Sequence, residues 1–106
     1  MATFNNTNPI KIKTSSGFTG THAGSGGTDI ITLGASEYGI ANVHLSNGAG
    51  VTTSVTIGGV IVAANSVAST SLNAVVYVGP GQTLRISGTG AGATATCSGF
   101  VFENNI

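Results

Sequence analysis

The chain has 106 residues, of which 41% are hydrophobic and only 6% are charged, a composition that fits one domain with one modest core. Three basic and three acidic side chains give a net charge of zero. This argues against a nucleic-acid partner, because phosphate contacts require clustered Lys or Arg. A surface with so few charges also has little protection against self-association, so we expect neighbouring subunits to cover much of it.

The single cysteine, Cys97, has no partner for an intrachain disulfide. The N-terminus MATFNNTNP lacks the basic start and apolar stretch of a signal peptide, and no run of 18 apolar residues occurs. We therefore expect a soluble chain that is made in the cytoplasm and has no membrane partner.

The N-terminal quarter of the chain carries little apolar periodicity. Residues 1–9 predict an extended arm ahead of a domain formed by residues 10–106. The stretch from Thr14 to Gly27 is rich in Ser, Gly and Thr, with Phe18 as its only large apolar anchor. It indicates either a long surface loop or a weak edge strand.

After Gly27, short β-branched runs alternate with glycine clusters, which is typical of strands separated by turns. Strands are predicted at residues 28–33, 40–46, 51–57, 60–62, 71–78, 83–87 and 93–103. Turns are predicted at Asn47-Gly48, Gly58-Gly59 and Gly79-Pro80-Gly81. The fold class that follows is all-β, a single-domain antiparallel β-sandwich or jelly roll of about seven or eight strands.

The stock of catalytic side chains is small. Cys97, His44 and Asp29 are the residue types of a nucleophilic triad, but nothing in their spacing brings them together. Cys97 alternates with hydroxyl residues and is better explained as a small residue that fills space in a sheet. We therefore expect no enzymatic activity.

Cofactor and ligand signals are equally sparse. His22 and His44 lack paired-ligand spacing, although a metal on a symmetry axis, bound by one His from each subunit, stays open. The glycine-rich segment 24–27 lacks the Lys-Ser/Thr ending of a phosphate-binding loop. We expect no cofactor, and sugar binding stays a minor alternative because the only plausible exposed aromatic residues are Phe18, Tyr38 and Tyr77.

One resemblance rests on short motifs in a fixed order. They are Asn42–Asn47, Val55–Ile57, Val75–Val78, Gly81–Ile86, and Ser98-Gly99 followed by Glu103. In this order the chain resembles small virion proteins of tailed bacteriophages. The resemblance implies a head decoration or cement protein, located in the virion and forming trimers that contact the major capsid protein or other virion proteins.

Two further roles remain open. One is a phage tail or fibre component that binds host-surface glycans. The other is a pilus-like subunit or adhesin domain, which requires that the chain is a processed product, because no signal peptide is visible.

Intersubunit contacts are predicted at two groups of residues. The arm would supply main-chain and apolar contacts, although the same segment also fits a disordered tail, and the few charged residues would supply ion pairs. The residues are Phe4, Asn5, Asn6 and Pro9 in the arm, and Lys11, Lys13, Arg85 and Glu103 among the charges.

Overall fold

The computed structural model describes residues 12–104, and every regular element within that range is a β-strand. The strands are β1 (Ile12–Ala23), β2 (Gly26–Thr32), β3 (Glu37–Asn47), β4 (Thr53–Ile57), β5 (Val60–Asn65), β6 (Ser71–Val78), β7 (Thr83–Gly88) and β8 (Ala93–Asn104). No helix long and apolar enough to cross a membrane occurs in this part of the chain.

The strands form two four-stranded antiparallel sheets. Sheet 1 has the order β1-β8-β3-β6 and sheet 2 the order β2-β7-β4-β5. The chain crosses between the sheets at every connection except the β4–β5 hairpin, which produces the strand order of an eight-stranded jelly roll. The predicted all-β sandwich or jelly roll is confirmed.

The core lies between the two sheets, and in strands such as β3, β4 and β7 it is built by alternation of buried and less buried residues. In β3 the buried residues include Val43 and Leu45, and in β7 they are Leu84 and Ile86. The described buried hydrophobic residues are Leu, Ile, Val, Ala and Cys, without a single aromatic ring. Each of the fully buried Leu and Ile side chains contributes about 1.5–3 kcal/mol to folding.

Two predicted turns form as their sequences require. Gly58 and Gly59 have φ values of 60° and 83°, the pair of positive angles that a two-residue hairpin needs, and they join β4 to β5. At Gly79-Pro80-Gly81, the Gln82 N–H donates to the Gly79 carbonyl over 3.2 Å, and Gly81 has a φ of 74°. This is a turn with Pro in the second position and Gly in the third.

The structure resolves two questions that the sequence left open or placed differently. The stretch from Thr14 to Gly27 is not a long loop. Most of it belongs to β1 and its end begins β2, and both are edge strands. The Asn47-Gly48 pair does not form the turn itself, since Asn47 ends β3 and the positive φ of 74° occurs at Gly50. The chain leaves sheet 1 there and enters sheet 2.

Candidate functional site

An exposed apolar strip runs along one side of the sandwich, where β5 ends sheet 2 and β6 ends sheet 1. Val60, Ile61 and Val62 are consecutive in β5 and are 64%, 63% and 49% exposed. Val67 in the β5–β6 connection and Leu72 in β6 are also exposed. We call these five residues the apolar edge.

The apolar edge has no charged residue or proline to stop it from pairing with another chain, although the register of β5 on β4 shifts by one residue at Val62. Neither β5 nor β6 contains a charged residue or a proline, whereas natural sheet edges are commonly blocked by Lys, Pro or inward-pointing charges. Because β5 and β6 end their sheets among the described residues, the outer side of each backbone presents N–H and C=O groups to a neighbour, beside apolar side chains.

Buried amides hold the β5–β6 connection in one conformation. The Asn65 amide donates to the carbonyls of Leu45, at 3.1 Å, and Thr70, at 3.2 Å. Its oxygen accepts from the Val67 N–H at 3.1 Å and from the Thr70 hydroxyl. Because a buried amide without hydrogen-bond partners costs about 1–3 kcal/mol of free energy, these bonds stabilise the described conformation of the connection that contains Val67.

Asn47 supports the same connection from β3. Its amide donates to the Asn65 carbonyl, and its oxygen accepts from the buried Thr53 hydroxyl. The predicted turn residue Asn47 thus serves as a tie between the two sheets, because it links β3 of sheet 1 to β4 and β5 of sheet 2.

The opposite side of the sandwich has a different character. There the edge strands are β1 and β2, which are rich in Gly and Thr and include the exposed residues Thr19, Thr21, Thr28 and Asp29. We call β1 and β2 the polar edge. Within residues 12–104 its backbone also has no neighbouring strand on the outer side, and the four exposed residues named above are hydrophilic.

The charged residues predicted to form intersubunit ion pairs are placed as follows. The Arg85 Nη1 atom lies 2.9 Å from Asp29 Oδ1, so the partner of Arg85 is in the same chain, on the adjacent strand β2. Both side chains are exposed, and such a pair contributes little to stability. Glu103 in β8 lies directly opposite Glu37 in β3.

The remaining predicted contact residues are not covered. Lys13 belongs to the backbone of β1, but its side chain lies outside the described part. The arm, residues 1–9, lies outside the described residues, and so does Lys11. The predicted contact residues of the arm are Phe4, Asn5, Asn6 and Pro9.

The three residues considered as a triad do not meet. Cys97 is 5% exposed and faces the core, and burial raises the pKa of its thiol. His44 lies on the outer face of sheet 1, where its Nδ1 is 2.7 Å from Asn73 Oδ1, and Asp29 belongs to sheet 2. A buried thiol kept protonated is a poor nucleophile.

The other histidine, His22, is engaged near the β1–β2 corner. Its Nδ1 lies 2.8 Å from the Thr28 hydroxyl, and its Nε2 lies 3.1 Å from the Gly24 carbonyl oxygen. Within residues 12–104, no three His, Cys, Asp or Glu side chains are grouped as metal ligands.

Exposed aromatic residues lie on the outer face of sheet 1. Tyr77 is 72% exposed and Tyr38 is 36% exposed, as the sequence suggested, whereas Phe18 is partly buried against the core. The sequence analysis missed Phe100, which is 57% exposed. Alternation in β8 gives the signal, because Cys97 and Val101 face inward and a residue between them at an even position must face outward.

No family model matches the chain, and no curated protein matches it in sequence. A solved structure from Bacillus endospore appendages, which form a novel family of disulfide-linked pili, shares the fold. The similarity has a TM-score of 0.55 at 20% sequence identity and covers 99% of each chain. At this identity it shows the fold alone.

This similarity corrects the predicted function. The role of a phage head decoration or cement protein, and the alternative phage tail or fibre role, were wrong: the structure that shares the fold comes from a bacterial endospore pilus and not from a phage. The motifs that suggested a virion protein are turn and strand patterns, which a jelly roll of any function contains. The predictions of a capsid partner and of a virion location were based on the same resemblance, which no longer supports them.

Proposed function

We propose that this chain is a non-catalytic structural subunit that assembles with further copies of itself into a fibre. The observation that carries this proposal is the pair of open sheet edges among the described residues, apolar and uncharged on one side of the sandwich and polar on the other. Each side ends both sheets, so each offers two strands to a neighbouring subunit.

Main-chain pairing is the expected mode of contact. An unpaired edge strand extends a neighbouring sheet through backbone hydrogen bonds, and the side chains set the specificity. Complete burial of a Val or Ile side chain contributes about 1.5–3 kcal/mol. Val60, Ile61 and Val62 are about half to two-thirds exposed, so covering each one contributes about 1 kcal/mol.

Because each subunit has one edge of each kind, a head-to-tail contact gives an open assembly. When an apolar edge meets the polar edge of the next copy, both free edges remain at the ends of the pair, and addition can continue. Such head-to-tail contacts form a ring if the rotation closes and a filament if it does not. The shared fold with a Bacillus pilus protein, over 99% of both chains, favours the filament.

The contacts between copies of this chain must differ from the links between the subunits of that pilus. Those pili are described as disulfide-linked, but this chain has one cysteine, and one thiol joins two chains at most. Cys97 is also buried among core residues. We therefore propose that non-covalent contacts hold the fibre together.

A lysine in the apolar edge tests the proposal. Ile61→Lys places a charge where the next subunit would cover it, and burying an unpaired charge is strongly unfavourable. We expect the wild-type chain to form fibres visible by electron microscopy and the Ile61→Lys chain to remain monomeric by light scattering.

Thr94→Lys is the matched control, because Thr94 is exposed on the outer face of β8, an interior strand of sheet 1. This variant should form fibres like the wild type. Equal assembly of both lysine variants, or a wild-type chain that stays monomeric at high concentration, would show that the apolar edge has no part in assembly.

A further inference from the structure

A groove crosses the outer face of sheet 1, from the edge strand β1 to the edge strand β6. Its volume is about 510 Å³, and it is lined by residues of four neighbouring strands: Gly17 and Thr19 of β1, Ser98 and Phe100 of β8, Asn42 of β3 and Val75 of β6. We call it the outer groove. The central part of the groove, on β8 and β3, lies between these two edge strands.

Apolar side chains form one end of the outer groove. Phe100 pairs across the strands with Gly17 on one side and Ile40 on the other, and Ile40 pairs with Tyr77. Because Gly17 has no side chain, the 57% exposed ring of Phe100 is not covered from that direction. The ring is therefore available to a ligand.

Polar side chains form the other end. Asn42 and Ser98 also line a smaller hollow of about 250 Å³ that continues along the strands to His44, Asn73 and Thr96. The side chains of Asn42, Ser98 and Thr96 make no hydrogen bond within the described residues. Their amide and hydroxyl groups can each donate and accept.

The chemistry of the groove selects its ligand. Among the described residues, no Lys, Arg, Asp or Glu side chain lines either hollow, so a charged ligand finds no permanent counter-charge there. An aromatic ring beside uncharged amide and hydroxyl groups fits a sugar, which has an apolar C–H face and hydroxyls at its rim. From Phe100 to Thr96 the strand spans about 13 Å, a length that accommodates a short oligosaccharide.

We propose that the outer groove binds a neutral oligosaccharide or polysaccharide, with Phe100 as the stacking residue and Asn42 and Ser98 as hydrogen-bonding residues. This inference does not depend on the proposed fibre, because all of these groups belong to a single subunit. A fibre would repeat the site along its length and raise the avidity for a polymer.

The test uses the Ile61→Lys chain if it is monomeric, and otherwise the wild-type chain, labelled with ¹⁵N and titrated with neutral hexasaccharides of glucose and of N-acetylglucosamine. We expect chemical shifts to change at Asn42, Ser98 and Phe100 for at least one of these probes. Phe100→Ala should weaken that binding about tenfold or more. A polyuronic acid should bind no better than the neutral sugars.

Val62→Ala is the matched control, because it truncates an exposed apolar side chain in the apolar edge and should leave sugar binding unchanged. Absence of shifts up to about 10 mM of every neutral probe, shifts that map elsewhere, or full binding by Phe100→Ala would overturn the proposal. Fibre assembly by Phe100→Ala should equal that of the wild type, so failure of the sugar site is distinguishable from failure of the fibre proposal.

Discussion

Cys97 limits how copies of this chain can be joined. It is a core residue of β8, directly opposite Gly20 in β1 and Val43 in β3, and its side chain is 5% exposed. A second thiol reaches it only after the sandwich opens. The sequence predicted this role as a small residue that fills space in a sheet, because strand alternation alone places Cys97 with Ala95 and Val101.

The reactivity of Cys97 can be measured directly. We expect a thiol reagent to modify native protein slowly and protein in urea rapidly, because burial keeps the thiol protonated and covered. Thr94→Cys in a Cys97→Ala background places an exposed thiol on the same strand and should react quickly in the native state. Fast modification of native wild-type protein would contradict the described position of Cys97.

The same burial predicts a dependence of stability on pH. The folded pKa of Cys97 is raised above the ordinary value of 9.0, so the unfolded chain loses the thiol proton first. The stabilisation is complete below about pH 9 and is lost as pH rises further. Urea unfolding at pH 8 and pH 10 should show a larger fall in the free energy of unfolding for wild type than for Cys97→Ala. An equal fall in both proteins would show that the thiol is not protected.

At the scale of elements, the glycines of sheet 1 have separate purposes. Gly99 faces the inside of β8, where an added Cβ would contact the Ile40 carbonyl oxygen and would lie 2.9 Å from the Cα of Ala41. Gly17 faces outward, and the nearest atom to an added Cβ is 3.7 Å away. Of these two glycines, only Gly99 is required for the close approach of β8 and β3.

We therefore expect Gly99→Ala to lower the free energy of unfolding by about 1–3 kcal/mol through overpacking. Gly17→Ala should change it by less than about 0.5 kcal/mol, as exposed substitutions usually do. Urea denaturation of the two variants beside wild type measures both values. If Gly99→Ala were as stable as Gly17→Ala, the described packing of β8 on β3 would be incorrect.

Local sequence patterns predicted some elements well and others poorly. The Gly58-Gly59 hairpin followed from two adjacent residues that tolerate positive φ, and strand β4 from its alternation. The Asn47-Gly48 pair was less informative, because a turn pattern does not reveal which sheet receives the next strand. Strand β1 was ambiguous, since an edge strand needs few apolar residues to be held in place.

The candidate surfaces were harder to predict than the strands. The run Val60-Ile61-Val62 has the composition of a buried strand, and only the sheet order shows that it lies at an edge. The position of Phe100 on an outer face was available from alternation in β8, but its neighbours in the outer groove come from three other strands. Which residues line one groove depends on the pairing of strands that are distant in the sequence, and local sequence patterns do not reveal that pairing.

At the scale of the whole molecule, the proposed fibre requires that the apolar edge of one copy contacts the polar edge of the next. Ile61→Lys blocks the apolar edge. A second variant, with Thr21→Lys and Thr28→Lys, places charges on the polar edge, on β1 and β2. If contacts are head-to-tail, each variant retains one functional edge, and the retained edges are complementary.

The most direct measurement is therefore the mass, by light scattering, of each blocked variant alone and of the two mixed in equal amounts. We expect each variant alone to be a monomer of 10.3 kDa. In the mixture we expect a one-to-one dimer and no larger species, because the two retained edges can form only one contact. A mixture that stays monomeric, or a polar-edge variant that dimerises alone through two apolar edges, would contradict this expectation.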